Sequence, residues 1–196
     1  VFGNSAIWVL AIANFFVYIV RYAVLDWGPT LLGEWKGVSI HHAGWMVAAF
    51  EISGIVGMLV AGWATDRFFG GRGPRVCVIC MALATVFVAL FWGISQPPMW
   101  LATLLLGAAG FCIYGPQALV GIAAANIATK KAAATAVGFT GLFGYASTLV
   151  SGWGLGLLAQ HYGWNIAVGA LILIAIMGTL IFMAAWSAKA NGYDND

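Results

Sequence analysis

Six stretches of this chain are apolar for long enough to cross a hydrocarbon layer as helix: Ala6 to Leu32, Ala43 to Ala64, Val76 to Ile94, Trp100 to Ala125, Ala133 to Ala159 and Ile166 to Trp186. Spanning takes about 20 residues at the rise of an α-helix, and little sequence remains between the six. Hydrophobic residues make up 63% of the chain and charged ones 7%, where a soluble domain carries about 25% charged residues. A membrane β-barrel would show segments of about ten residues with alternating polarity, and none appears. These features predict an all-α, polytopic membrane protein: one six-helix unit over residues 1–187, followed by a short polar tail over 188–196.

The few charges are placed unevenly. Arg67, Arg72 and Arg75 fall between spans two and three, Lys130 and Lys131 between four and five, and Lys189 after six, whereas the opposite loops offer only Lys36. The positive-inside rule therefore predicts cytoplasmic basic loops and cytoplasmic ends. A formal net charge of +2 gives no electrostatic ground for a nucleic-acid partner. The chain opens on Val1 and enters its first span at once, without the charged, apolar and cleavage regions of a signal peptide; it is expected to be part of a longer polypeptide.

Cys77 and Cys80 have redox-motif spacing, but inside an apolar span they read as small packing residues, as does Cys112. His41 and His42, neighbours in an outer loop beside Trp45, read as an interfacial helix start and not as metal ligands. Glycines crowd the second, fourth and fifth spans, where small residues let helix backbones approach closely. Gly28-Pro29 and Gly115-Pro116 lie inside spans and point to kinked helices, either as plain irregular packing or as places where a bundle changes shape.

Arg21 is the residue that calls for a function. If the first helix runs on through Leu32, the arginine lies deep in the bilayer; if it stops near Asp26, the side chain snorkels to the headgroups. Two observations favour depth. Asn14, Tyr18 and Arg21 follow i, i+4, i+7 spacing and share one helix face, and Glu51 sits near the centre of the next span. Ionisable groups inside a membrane are costly, face a bundle interior or water, and mark substrate or ion routes, although a protonated Glu51 bonded to a neighbouring helix is the plainer alternative. With Asp26 nearby and hydroxyls at Tyr18, Tyr22, Tyr114 and Tyr145, the interior suits an anion, because a guanidinium is a permanently charged, planar fork of donors that matches phosphate. There is no phosphate-cradling loop with a lysine, no nucleophile with a basic partner and no ligand cluster at metal spacing. No enzyme activity, metal or cofactor is expected.

"GWATDRFFGGRGPR" at 62–75 resembles the loop signature of the major facilitator superfamily. "RYAVLDWGPT" at 21–30, "FCIYGPQALVGIAA" at 111–124 and "KKAAATAVGFTGLFGY" at 130–145 resemble the organophosphate:phosphate antiporters of that superfamily, and the similarity runs to about Trp186. The resemblance implies the C-terminal half, helices seven to twelve, of a twelve-helix inner-membrane carrier that exchanges an organophosphate for inorganic phosphate by alternating access. On that pattern Arg21 is this half's phosphate ligand, Tyr18, Tyr114, Tyr145 and Thr140 line the cavity, and Glu51 and Asp26 are charged companions whose pairing changes as the site fills. Asp66, Arg67 and Arg72 would form a cytoplasmic latch between halves, and the second arginine would come from the N-terminal half. The resemblance also implies a lysine near position 140 in hexose-phosphate transporters and a neutral residue in glycerol-3-phosphate transporters, so Thr140 tilts the reading to glycerol-3-phosphate or a similar small ester. Thr129 and Ala134 depart from the family pattern at a loop and a helix start. A sugar-phosphate sensor that binds without transporting is the alternative within the family, and a proton-coupled carrier using Glu51 is another.

Overall fold

The computed structural model describes residues 1–188, so Lys189 and nearly all of the expected polar tail lie outside the described residues. Six helical segments are long and apolar enough to cross a membrane, and no strand occurs among the described residues. Helices α1 (Ser5–Lys36), α2 (Ile40–Phe69), α3 (Gly73–Gly93) and α4 (Met99–Ile127) are each one span. The fifth span, Lys130–Tyr162, is composite: a 3₁₀ turn at Lys130–Ala132, α5 (Ala133–Ala146), a π-turn at Val150–Gly154 and α6 (Leu155–Tyr162). Helix α7 (Trp164–Ala184) completes the bundle.

Local chemistry fixes the ends. The Asn4 side chain accepts the Ala6 N–H to open α1, Ser39 does the same for α2 through His42, and left-handed glycines at Gly37 and Gly70 close both helices. The His41–His42 region is thus a helix start, as the sequence indicates. Helix α1 runs unbroken for 32 residues with Pro29 inside it, and α4 likewise contains Pro116. Pro29 lies near the end of α1, and its missing N–H leaves the helix unbroken there.

Helix α2 packs most extensively on α4, and α3 also lies against α4; α1 is central, touching α2, α4, α5 and α7. The α2–α4 contact is backbone on backbone. A Cβ at Gly57 would come 1.9 Å from the Phe111 carbonyl oxygen, and one at Gly110 would come 2.2 Å from that of Phe50. In lipid no hydrophobic force draws helices together, so approach of this kind supplies the packing. Leu10, Val17, Phe50, Ile113 and Phe182 fill the interior, while Leu59, Leu142 and Leu173 face outward, as a bundle solvated by lipid or covered by further helices requires.

Candidate functional site

Because α1 does not stop at Asp26, Arg21 sits near its midpoint, more than about 20 Å from either end at 1.5 Å per residue. Three helices converge there. Arg21 Nη2 donates to the Tyr114 hydroxyl of α4 at 2.8 Å and lies 3.6 Å from Glu51 Oε2 of α2. The Tyr114 hydroxyl in turn donates to the same Glu51 oxygen. Side-chain exposures of 16% for Arg21 and 33% for Glu51 make this a shielded but still accessible pair. The guanidinium also stacks 4.7 Å from the Tyr114 ring centre and 5.4 Å from that of Tyr22, a cation–π arrangement open to a planar guanidinium. Tyr114 reaches this position by crossing α2 at Gly54, where a Cβ would fall 2.4 Å from its ring.

The charges are not fully consumed by one another. Arg21 Nε and Glu51 Oε1 are buried with no partner inside the chain, so the arginine retains a donor and the glutamate an acceptor. Desolvation offsets much of the Coulomb gain of a buried ion pair, and the guanidinium can give up Glu51 only to another anion that keeps it paired. An incoming anion can therefore compete with Glu51 for the guanidinium.

The remaining candidate residues separate into near and far. Tyr18 stands one turn before Arg21, with its ring 5.9 Å from Tyr145 and 5.7 Å from Tyr22; Tyr145 is 64% exposed. Thr140 is buried, its hydroxyl turned onto the Val137 carbonyl, while its own carbonyl accepts Asn14 Nδ2 at 2.9 Å. Asp26 is exposed, and the Arg21–Glu51 contact is the one ion pair among the described residues. Asp66 and Arg67 are exposed in the last turn of α2 and Arg72 is half-buried just before α3; Asp66 and Asn126 line a small cavity of about 110 Å³. Gln117, one turn beyond Tyr114 with a buried, unpartnered Oε1, was not legible as a site residue. Its i, i+3 spacing from Tyr114 on the inward face of α4 is the signal that marks it.

A six-span bundle with a shielded arginine–glutamate pair at its centre is a polytopic membrane fold. Residues 10–192 match the Major Facilitator Superfamily, and the chain belongs to that family. It is 40% identical to the "Probable hexose phosphate transport protein" of Chlamydia pneumoniae over 96% of this chain and 42% of that protein. It is 36% identical to the glycerol-3-phosphate transporter of Haemophilus influenzae over 97% of this chain and 44% of that protein, and 35% identical to the membrane sensor protein UhpC of Escherichia coli over 88% and 39%. The chain thus spans about two fifths of the length of these relatives, in keeping with one six-helix half. Transporters predominate among these names and none is an enzyme.

Proposed function

We propose that this chain is the C-terminal half of a carrier that exchanges a small organophosphate for inorganic phosphate across the inner membrane, with its basic loops and both ends on the cytoplasmic side. The observation that carries the reading is Arg21: a guanidinium at the middle of an apolar 32-residue helix, with one edge on Tyr114 and Glu51 and an unpartnered Nε. Such a fork is matched to phosphate as well as to carboxylate, and the relatives named for phosphate esters favour the first. When phosphate arrives, Glu51 loses its hold on Arg21, Tyr114 remains as a neutral donor, and Tyr18 and Tyr145 wall the cavity. Asp26, exposed on the same helix, and Asp66, Arg67 and Arg72 at the turn are positioned to meet the other half. The relatives include proteins named for glycerol-3-phosphate and for hexose phosphate; the neutral Thr140 supports the smaller ester.

Vesicles carrying the full-length carrier and loaded with unlabelled phosphate are the test. Labelled phosphate should enter by counterflow, and should not enter empty vesicles even under a pH gradient. Binding without sustained exchange would identify a sensor, and uptake into empty vesicles driven by pH a proton-coupled carrier. The 196-residue chain alone should not exchange. Cysteines at Gly71 and Lys36 should be labelled from opposite sides, and labelling of both from one side would refute the orientation.

A further inference from the structure

The fifth span is wound loosely where it passes the site. Ser147, Thr148 and Ser151 turn their hydroxyls back onto the carbonyls of Gly144, Tyr145 and Thr148, at 2.5, 2.8 and 3.4 Å, a habit that bends helices. Immediately after, the chain takes a π-turn at Val150–Gly154, a form concentrated at functional positions. The Leu155 N–H bonds the carbonyls of Val150 and Gly152, not that of Ser151, which would be its partner in an α-helix.

An indole from another helix takes up that carbonyl. Trp27 Nε1 of α1 donates to the carbonyls of Ser151 at 3.0 Å and Gly152 at 3.1 Å. A Cβ at Gly156 would lie 2.5 Å from Trp27 Cζ2, so the ring occupies the space that any side chain there would need. Trp27 also packs 5.9 Å from Trp164 of α7, whose own Nε1 donates to Glu34 of α1 at 2.7 Å. Two indole N–H groups thereby join α1 to the π-turn and to α7 at one end. On the far side of the π-turn, Asn14 fastens the same helix α1 to the Thr140 carbonyl of α5. Between these two grips lie Tyr18 and Arg21 on α1, and Gly144 and Tyr145 on the fifth span.

We propose that Trp27 is a positioning residue whose indole N–H stabilises the π register of the fifth span, so that releasing and regripping the Ser151 and Gly152 carbonyls swings α6 against α5 and gates one end of the site beside Arg21. The indole satisfies the Ser151 carbonyl that the Leu155 N–H would take in the α register, so the segment has two arrangements with that carbonyl partnered, an element of the kind that converts a small shift into a discrete motion. The inference rests on the transporter reading.

The test uses the full-length carrier with Trp27→Phe, which keeps a ring in the groove and removes the N–H. Equilibrium binding of inorganic phosphate should stay within about twofold of wild type, a difference of only some 0.4 kcal/mol. Phosphate exchange should fall at least about tenfold, because the step lost is a conformational one. In the wild-type protein, amide hydrogen exchange over residues 147–154 should change on saturation with phosphate, since opening of a local unit is what that measurement reads. Exchange by Trp27→Phe at the wild-type rate overturns the proposal. So does a parallel loss of binding and exchange, which would make Trp27 merely structural, and so does an unchanged hydrogen-exchange pattern, which decides the matter by itself if the variant does not accumulate. A wild type that binds no phosphate overturns the transporter reading and the gate together, whereas a normal wild type beside a fully active Trp27→Phe overturns the gate alone.

Discussion

Two groups of charges in this molecule each set an arginine beside a carboxylate and behave oppositely. At the bundle centre Arg21 and Glu51 meet across two helices, share a tyrosine hydroxyl and are largely shielded. In the last turn of α2, Asp66 and Arg67 stand exposed and make no ion pair among the described residues. The inner charges are expensive to place and so need partners from other elements. The outer ones are inexpensive in water, contribute little to this half's stability, and remain available to another surface. Depth therefore separates a shielded, mutually paired set of charges from an exposed set more clearly than sequence spacing does.

Arg21→Lys should have the largest effect. Lysine keeps the charge but loses the planar fork; removal of one charge-assisted bond, worth about 1.5–3 kcal/mol, corresponds to roughly ten- to a hundredfold weaker phosphate binding. Phosphate affinity within about twofold of wild type, with membrane levels matched, would show that the inner pair handles no anion. Tyr114→Phe comes next. It deletes the hydroxyl that joins the two charges, and a loss of about 1 kcal/mol predicts roughly fivefold weaker binding, measured by the same titration; stronger binding would mean that the tyrosine holds the arginine away from the ligand.

Glu51→Gln sharpens the contrast because it removes the competitor and leaves the arginine. Phosphate should bind somewhat more tightly, by about threefold, or about 0.65 kcal/mol, while exchange slows because release is no longer assisted. Faster exchange in counterflow would break that account. Arg67→Gln, at the exposed turn, should change phosphate affinity by no more than about twofold, in line with surface substitutions of about 0.5 kcal/mol or less. If affinity instead falls as steeply as with Arg21→Lys, the distinction between the two groups fails.

The six spans were legible because hydropathy alone forces them, and so was the depth of Arg21 and Glu51; a pairing of Arg21 was implied only by the family resemblance, which named Asp26 beside Glu51, and Asp26 is exposed. The helix ends were less so. Helix α1 continues past Pro29 and Glu34 to Lys36, where the polar residues mark its end and not its interruption. Thr140 was expected among the cavity-lining residues, yet its hydroxyl is spent on Val137 and only its carbonyl serves another helix. The π-turn had no signature: Val150–Gly154 is composed of residues that an α-helix in lipid accepts equally well. Trp27 was obscured for the same reason, since its role depends on Gly156, about 130 residues away in the chain, leaving room for a ring.

The Arg21–Tyr114 bond also has a biosynthetic side. Its partners are 93 residues apart, and at synthesis rates of about 5–20 residues per second the arginine precedes the hydroxyl by roughly 5–19 s. Glu51 follows sooner, but α1 has to enter the bilayer before its partners on α2 and α4 have been made, at a cost of about 2.5–3.5 kcal/mol for a central arginine on insertion scales. The length and apolarity of α1 are what tolerate that interval.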